Sequence, residues 1–172
     1  MNRLSIDAGR RFFKLNGNPF FYLADTLWMA FSKLTMDEWR EILQKRLSQR
    51  FTVLQISLLP ISHDNSDSEG DCSPFARNAS GGWDFDSLNF EYFERARAML
   101  QMAVEYGFVP CVHLLWANYV PDTWAAKRSP DTVLPLDSAK RLVEYAVGLF
   151  SQFGCVYSIS GDTSFETNRV VE

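Results

Sequence analysis

Residues 20–28 read Phe20-Phe21-Tyr22-Leu23-Ala24-Asp25-Thr26-Leu27-Trp28. Five apolar residues followed by a carboxylate and a hydroxyl describe a strand buried on both faces that closes on polar groups. The same position in an open, doubly wound sheet would carry a glycine-rich phosphate turn. Ala24-Asp25-Thr26-Leu27-Trp28 holds no glycine, so this first strand leads elsewhere.

Downstream, Thr35 and Glu38 have the spacing of a capping box. They open a helix whose apolar stripe is Trp39, Ile42, Leu43 and Leu47. A second apolar strand, Thr52 to Leu59, stops at Pro60. The polar stretch from Ser62 to Gly82 is too long for a plain connection and reads as a functional or covering loop. The second helix, Asn89 to Glu105, has Phe93, Ala96, Leu100, Ala103 and Val104 on one face and Gly107 as a left-handed cap. Phe108 to Trp116 is the third strand. Asp137 starts the third helix, with Leu142, Ala146, Leu149 and Phe153 inward and Gly154 as its cap. Cys155 to Ser160 is the fourth strand, ending on Gly161-Asp162. Upstream, Leu4–Asp7 and Arg11–Leu15 form a hairpin around Ala8-Gly9, and Asn16-Gly17-Asn18-Pro19 turns the chain into the first strand.

Three times a helix ends and an apolar strand begins at once: at Gln49-Arg50-Phe51, Tyr106-Gly107-Phe108 and Gln152-Phe153-Gly154. The first three strand-to-helix links are longer. That asymmetry predicts an α/β fold of (β/α) TIM-barrel type, whose active site is built from the loops after the strands. A compact open-sheet hydrolase is the alternative. A full barrel takes ~250 residues, whereas four strands occupy this chain of 172. The expectation is one partial domain, a half-barrel, with residues 1–19 as an N-terminal hairpin and 20–172 as strands one to four.

Composition narrows the function. With 47% hydrophobic and 22% charged residues and a net charge of −4, the chain is neither disordered nor fibrous. It lacks the basic patch that nucleic acid demands. No stretch reaches the ~18 apolar residues of a membrane span. Met1–Asp7 has no apolar signal-peptide core, which predicts a cytoplasmic protein; the sequon Asn78-Ala79-Ser80 is idle there. Cys72, Cys111 and Cys155 show no CxxC spacing, so neither a disulfide framework nor a zinc site is expected. Cys111 and Cys155 read as buried small hydrophobes. The acidic run Asp64–Asp71 fails the EF-hand test, since taking Gly70 as the sixth position puts Ala76 where a bidentate Glu must be. There is no HExxH, GxSxG or Walker loop. No metal or cofactor is expected. The 15% aromatic content either packs a large core or lines a cleft.

The residues at the carboxyl ends of the strands are Asp25, Thr26 and Trp28 after the first, Gln55 and Ser57 in the second, His113 and Trp116 in the third with Asn118 and Tyr119 beyond, and Asp162 after the fourth. Carboxylates, an imidazole and aromatic rings on one rim suit a carbohydrate. Glycosidic cleavage needs a protonated carboxylic acid on the leaving oxygen and a second carboxylate as nucleophile or base. Structural readings stand beside each. Asp25 fits a turn cap, His113 a satisfied core histidine, Asp162 a helix N-cap, and Trp28 and Trp116 core aromatics. The glycine before Asp162 points to a close backbone approach beside a carboxylate.

The stretch from Asn16 to Trp28 resembles the opening of the apiosidase-like glycoside hydrolases, whose pattern is roughly "dGkPFfyLgDTaW". The similarity continues through Leu34-Thr35, Arg50-Phe51-Thr52-Val53-Leu54-Gln55, Leu88-Asn89-Phe90-Glu91-Tyr92-Phe93 and Ser160-Gly161-Asp162, where the family shows "GGD". The resemblance implies a (β/α)8 barrel acting on plant cell-wall polysaccharide fragments, with Asp162 as general acid/base and Asp25 and Trp28 lining the substrate site. Two departures stand out: Ser160 replaces the first glycine, and Tyr157 lies near where an early tryptophan is expected. The family's partner carboxylate lies on a later strand, so the resemblance implies that this chain carries one of the two and is inactive alone. A carbohydrate is the expected partner, with neither nucleic acid nor membrane. The unpaired first and fourth strands are edges open to self-association. The alternative function is a non-catalytic, carbohydrate-binding or self-assembling half-barrel.

Overall fold

The computed structural model describes residues 4–61, 72–165 and 167–171. Strands β1 (Leu4–Ile6), β2 (Phe13–Leu15) and β3 (Asn18–Phe20) form an antiparallel sheet in that order. The expected hairpin thus gains a third strand. Asn16 (φ 51°) and Gly17 (φ 85°) are both left-handed, as a two-residue hairpin loop requires, and Leu15 pairs with Asn18 across it. The run from Phe20 to Ala24 is therefore not one strand. Phe20 ends β3, Phe21 is 77% exposed, and the first parallel strand, β4, spans only Ala24–Thr26.

The chain continues through α1 (Ala30–Lys33), α2 (Met36–Ser48), β5 (Val53–Ser57), β6 (Phe75–Arg77), β7 (Trp83–Leu88), α3 (Phe90–Glu105), β8 (Val109–Trp116), α4 (Trp124–Arg128), α5 (Leu136–Phe150), β9 (Val156–Gly161) and α6 (Asn168–Val171). The main sheet has the order β4-β5-β8-β9, every pairing parallel. Alternation along each strand divides the side chains between two faces. Leu54, Ile56, Val112 and Leu114 join Trp39, Leu43, Phe93, Leu100, Leu142 and Phe150 in the main core between sheet and helices.

Both halves of the capping box at the start of α2 form: Thr35 Oγ1 accepts from the Glu38 N–H, and Glu38 accepts from the Thr35 N–H at 2.7 Å. Trp39 and Leu43 are fully buried, and the Trp39 indole donates to the Met99 carbonyl at 2.9 Å. Leu47 is 50% exposed, so the stripe is one turn shorter than its spacing implies. The inward face of α3 is wider than expected, because Tyr92 and Met99 are also fully buried. Gly107 (φ 91°) and Gly154 (φ 65°) take the left-handed conformation that their capping places demand. The described part of the long loop after β5 is not irregular: β6 and β7 form an antiparallel hairpin whose Phe75, Trp83 and Phe85 rings pack together. The acidic run Asp64–Asp71 lies outside the described residues. Among those residues, no helix is long and apolar enough to cross a membrane.

A second, smaller core lies on the other face of the parallel sheet. Val53, Val109 and Cys111, with Ala24 and Val156, are covered by Leu15, Phe20 and Tyr22 from the N-terminal segment. Burial and the neighbouring Cys111 push the Tyr22 phenol up to about 12. The amino-terminal half of this face is thereby plugged. Its polar positions are left to the carboxyl-terminal half.

Candidate active site

Strand register sets out that half of the face. Thr26 lies opposite Gln55, and Gln55 opposite Cys111. One step up, Ser57 faces His113 and His113 faces Ser158, then Leu115 faces Ser160. Thr26 is exposed. Ser57 is buried and donates to the Leu59 carbonyl at 2.7 Å, so it shapes its own loop.

The structure gathers Trp28, His113 and Trp116 into one cluster. The Trp28 and His113 ring centroids are 4.8 Å apart, edge to face. The two indoles are 5.0 Å apart, and His113 and Trp116 6.0 Å. Both imidazole nitrogens and the Trp116 Nε1 are buried without a hydrogen-bond partner among the described residues. A neutral imidazole offers one donor and one acceptor. A hydroxyl-rich ligand or ordered water is the chemistry that would satisfy such groups. Burial holds the His113 pKa below its usual 6.5. The folded state therefore disfavours protonation, and its stability contribution is full above ~6.5 and declines as pH falls through the lowered value. In thermal melts between neutral and mildly acidic pH, His113→Leu should gain relative to the parent chain as pH drops. A pH-independent difference would refute the assignment.

Asp162 stands at the carboxyl end of β9 in a left-handed conformation (φ 57°), one of the few that aspartate tolerates. Beneath it, Ser160 and Thr163 share a 2.5 Å hydrogen bond and Thr163 donates to the Gly161 carbonyl at 3.2 Å. Asp162 is exposed, and its carboxylate has no hydrogen-bond or ion-pair partner among the described residues. Gly161 does mark a close approach, but to a ring: a Cβ there would lie 2.2 Å from Trp116 Cζ3.

The remaining predicted residues are placed differently. Asp25 is paired with Arg46 of α2, and Arg46 also lies over the Phe51 ring at 5.8 Å. It is neither a turn cap nor on the face that carries Thr26. Asn118 and Tyr119 are buried. The Asn118 side-chain amide donates to Thr132 at 3.4 Å and its backbone carbonyl accepts from Thr132 at 2.9 Å, while its side-chain oxygen is buried without a partner among the described residues. Tyr119 donates to the Pro60 carbonyl at 2.6 Å, stacks on Trp83 with centroids 6.1 Å apart, and has its phenol pKa raised by burial. Asn118 thus braces the loop after β8 internally, and Tyr119 ties that loop to the one after β5. One rim residue not foreseen from sequence is Trp124, which opens α4 and donates its indole N–H to the Asp162 carbonyl at 3.2 Å. Thr123, its N-cap, was the available signal. Among the described residues, no group of three His, Cys, Asp or Glu side chains could hold a metal ion.

A family model described as "Apiosidase-like, catalytic domain" matches residues 7–172. The chain belongs to the apiosidase-like family. No curated protein matches it significantly. Among solved structures, this apiosidase-like chain is similar to a protein described as a glycoside hydrolase, at 19% identity and a TM-score of 0.67, covering 93% of this chain and 34% of that one. A glycoside hydrolase family 5 structure from Bacteroides vulgatus gives 17% identity and the same TM-score of 0.67, over 93% and 33% of the two chains. The endo-1,4-beta-mannanase of Rhizomucor miehei follows at 14% and 0.52, over 84% and 40%. The apiosidase-like chain thus spans about a third of the length of the first two. Identities this low speak to the fold alone, and the likeness fits an α/β architecture of TIM-barrel type.

Proposed function

We propose that this domain is the sugar-binding and acid/base portion of a glycoside hydrolase acting on poly- or oligosaccharides of the plant cell-wall type. It forms one partial barrel over residues 1–172, with Asp162 as general acid/base. Thr26, Trp28, His113 and Trp116 line the substrate face, while Asp25, Asn118 and Tyr119 hold the rim in shape from behind it. The observation that carries this reading is the Trp28–His113–Trp116 cluster with its unpartnered polar atoms, on the rim where Asp162 is free. Indole faces accept the C–H face of a sugar and the imidazole pairs with its hydroxyls. Titrating the chain with pectic oligosaccharides and with mannohexaose, followed by NMR, should move the Trp28 and His113 side-chain resonances. Saturating binding that leaves them still, or no binding of either sugar, would reject the reading.

One feature favours a second reading, self-assembly. Ile159 on the edge strand β9 is 74% exposed, beside a cleft of about 750 Å³ that it lines with Leu115, Val143 and Phe165. Parallel edges of this kind invite pairing with another copy. Light scattering should then show a dimer that Ile159→Lys converts to monomer. A parent chain that stays monomeric would end this reading.

A further inference from the structure

Five tryptophans serve this chain, and four of them are buried or half-buried. Trp39 is fully buried, Trp116 is 6% exposed against Gly161, Trp83 stacks on Tyr119, and Trp28 meets His113 edge to face. Trp124 is the most exposed of the five, at 39%. Its position is nonetheless fixed with care. Thr123 caps α4 by accepting from the Ala126 N–H at 3.0 Å and donating to the Ala117 and Val120 carbonyls. Ala125 and Ala126 are buried, which anchors the short helix by its alanine side. Trp124 is thereby directed to the carboxyl end of β9, where its N–H meets the carbonyl of left-handed Asp162. The Arg128 guanidinium lies over its ring at 5.1 Å.

We propose that Trp124 is the positioning residue of Asp162 and, through its exposed ring, the aromatic platform of the same sugar site. The inference rests on the reading of Asp162 as the substrate-facing acid/base. The indole N–H restrains the carbonyl of a residue whose backbone conformation is uncommon for a non-glycine side chain. That restraint fixes the direction in which the carboxylate leaves the strand. The exposed ring beside it offers a flat apolar surface at the height where a bound sugar would lie. Burying such a ring against C–H groups is the usual source of binding strength at an aromatic anchor.

The test compares Trp124→Phe, which keeps a ring and loses the N–H, with Trp124→Ala, which loses both. The first readout needs no ligand: the backbone carbonyl carbon of Asp162, followed by NMR, should shift in both variants, because each loses the indole N–H that it accepts from. The second is binding of pectic oligosaccharides and mannohexaose. Trp124→Phe should bind within about threefold of the parent and Trp124→Ala roughly tenfold or more weakly. An unmoved Asp162 carbonyl resonance in Trp124→Phe overturns the positioning role. Unchanged affinity in Trp124→Ala overturns the platform. His113→Ala separates these failures from failure of the underlying reading. If His113→Ala weakens binding and Trp124→Ala does not, the sugar site stands and the platform falls. If only Trp124→Ala weakens binding, the platform belongs to a different site and the assignment to Asp162 is overturned.

Discussion

Gly161→Ala is expected to destabilise the chain by about 3 kcal/mol, at the upper end of what overpacking usually costs. The new Cβ would lie 2.2 Å from Trp116 Cζ3 and 2.3 Å from Cε3, inside any tolerable contact. The ring has little room to yield, because it is 6% exposed and its far neighbour is the Trp28 indole at 5.0 Å. Chemical denaturation should show a lower midpoint at an unchanged slope. Removing the ring should remove the penalty. In a double-mutant cycle with Trp116→Leu, the alanine should therefore cost far less than it does beside tryptophan. Gly161→Ala as stable as the parent would mean that the indole does not rest on the strand. The same clash would displace Asp162, the next residue, so sugar binding should suffer along with stability.

The parts of the fold that were legible in the sequence are those fixed by local chemistry. The Thr35–Glu38 box, the Asn89 cap and the left-handed glycines at 107 and 154 each depend on a few adjacent residues. So do the apolar runs of β5, β8 and β9. What escaped depends on partners distant in the chain. The run from Phe20 to Ala24 is apolar throughout, yet it serves two sheets, and nothing in the run itself marks the break. The alternating Trp83-Asp84-Phe85-Asp86 carries two residues depleted in strands, and it pairs because Arg77 and Ala76 lie opposite Trp83 and Asp84. Asp25 shows the sharpest limit. Composition puts a carboxylate at a strand end, but the register decides its face, and a shift of one residue reverses it. Asn118 and Tyr119 look polar in the sequence, and the partners that bury them, Thr132, Pro60 and Trp83, are distant in the chain.

The purified 172-residue chain is expected to hydrolyse aryl glycosides at least ~10⁴-fold more slowly than a glycosidase with both carboxylates, since members of a cooperating catalytic set fail together. The chemistry requires an acid on the leaving oxygen and a second carboxylate at the sugar. The described strand ends carry two candidates, and Asp25 is held by Arg46 beside the helix layer. Among the described strand ends, Asp162 is the carboxylate that remains outside an ion pair. Release of 4-nitrophenol from aryl glycosides should therefore be the same for the parent chain and Asp162→Asn, with the molecular mass measured alongside. Asp162-dependent turnover by a monomer would overturn the one-carboxylate reading. Absence of turnover would not by itself distinguish a catalytic portion from a module that only binds sugar. Added formate or azide makes that distinction, because a small anion can stand where a partner carboxylate would act. If Asp162 is poised over a glycosidic oxygen, the anion should restore slow cleavage of an oligosaccharide, whose poor leaving group needs the acid, and Asp162→Asn should abolish it. A binding module has no acid in place and should gain nothing from either anion.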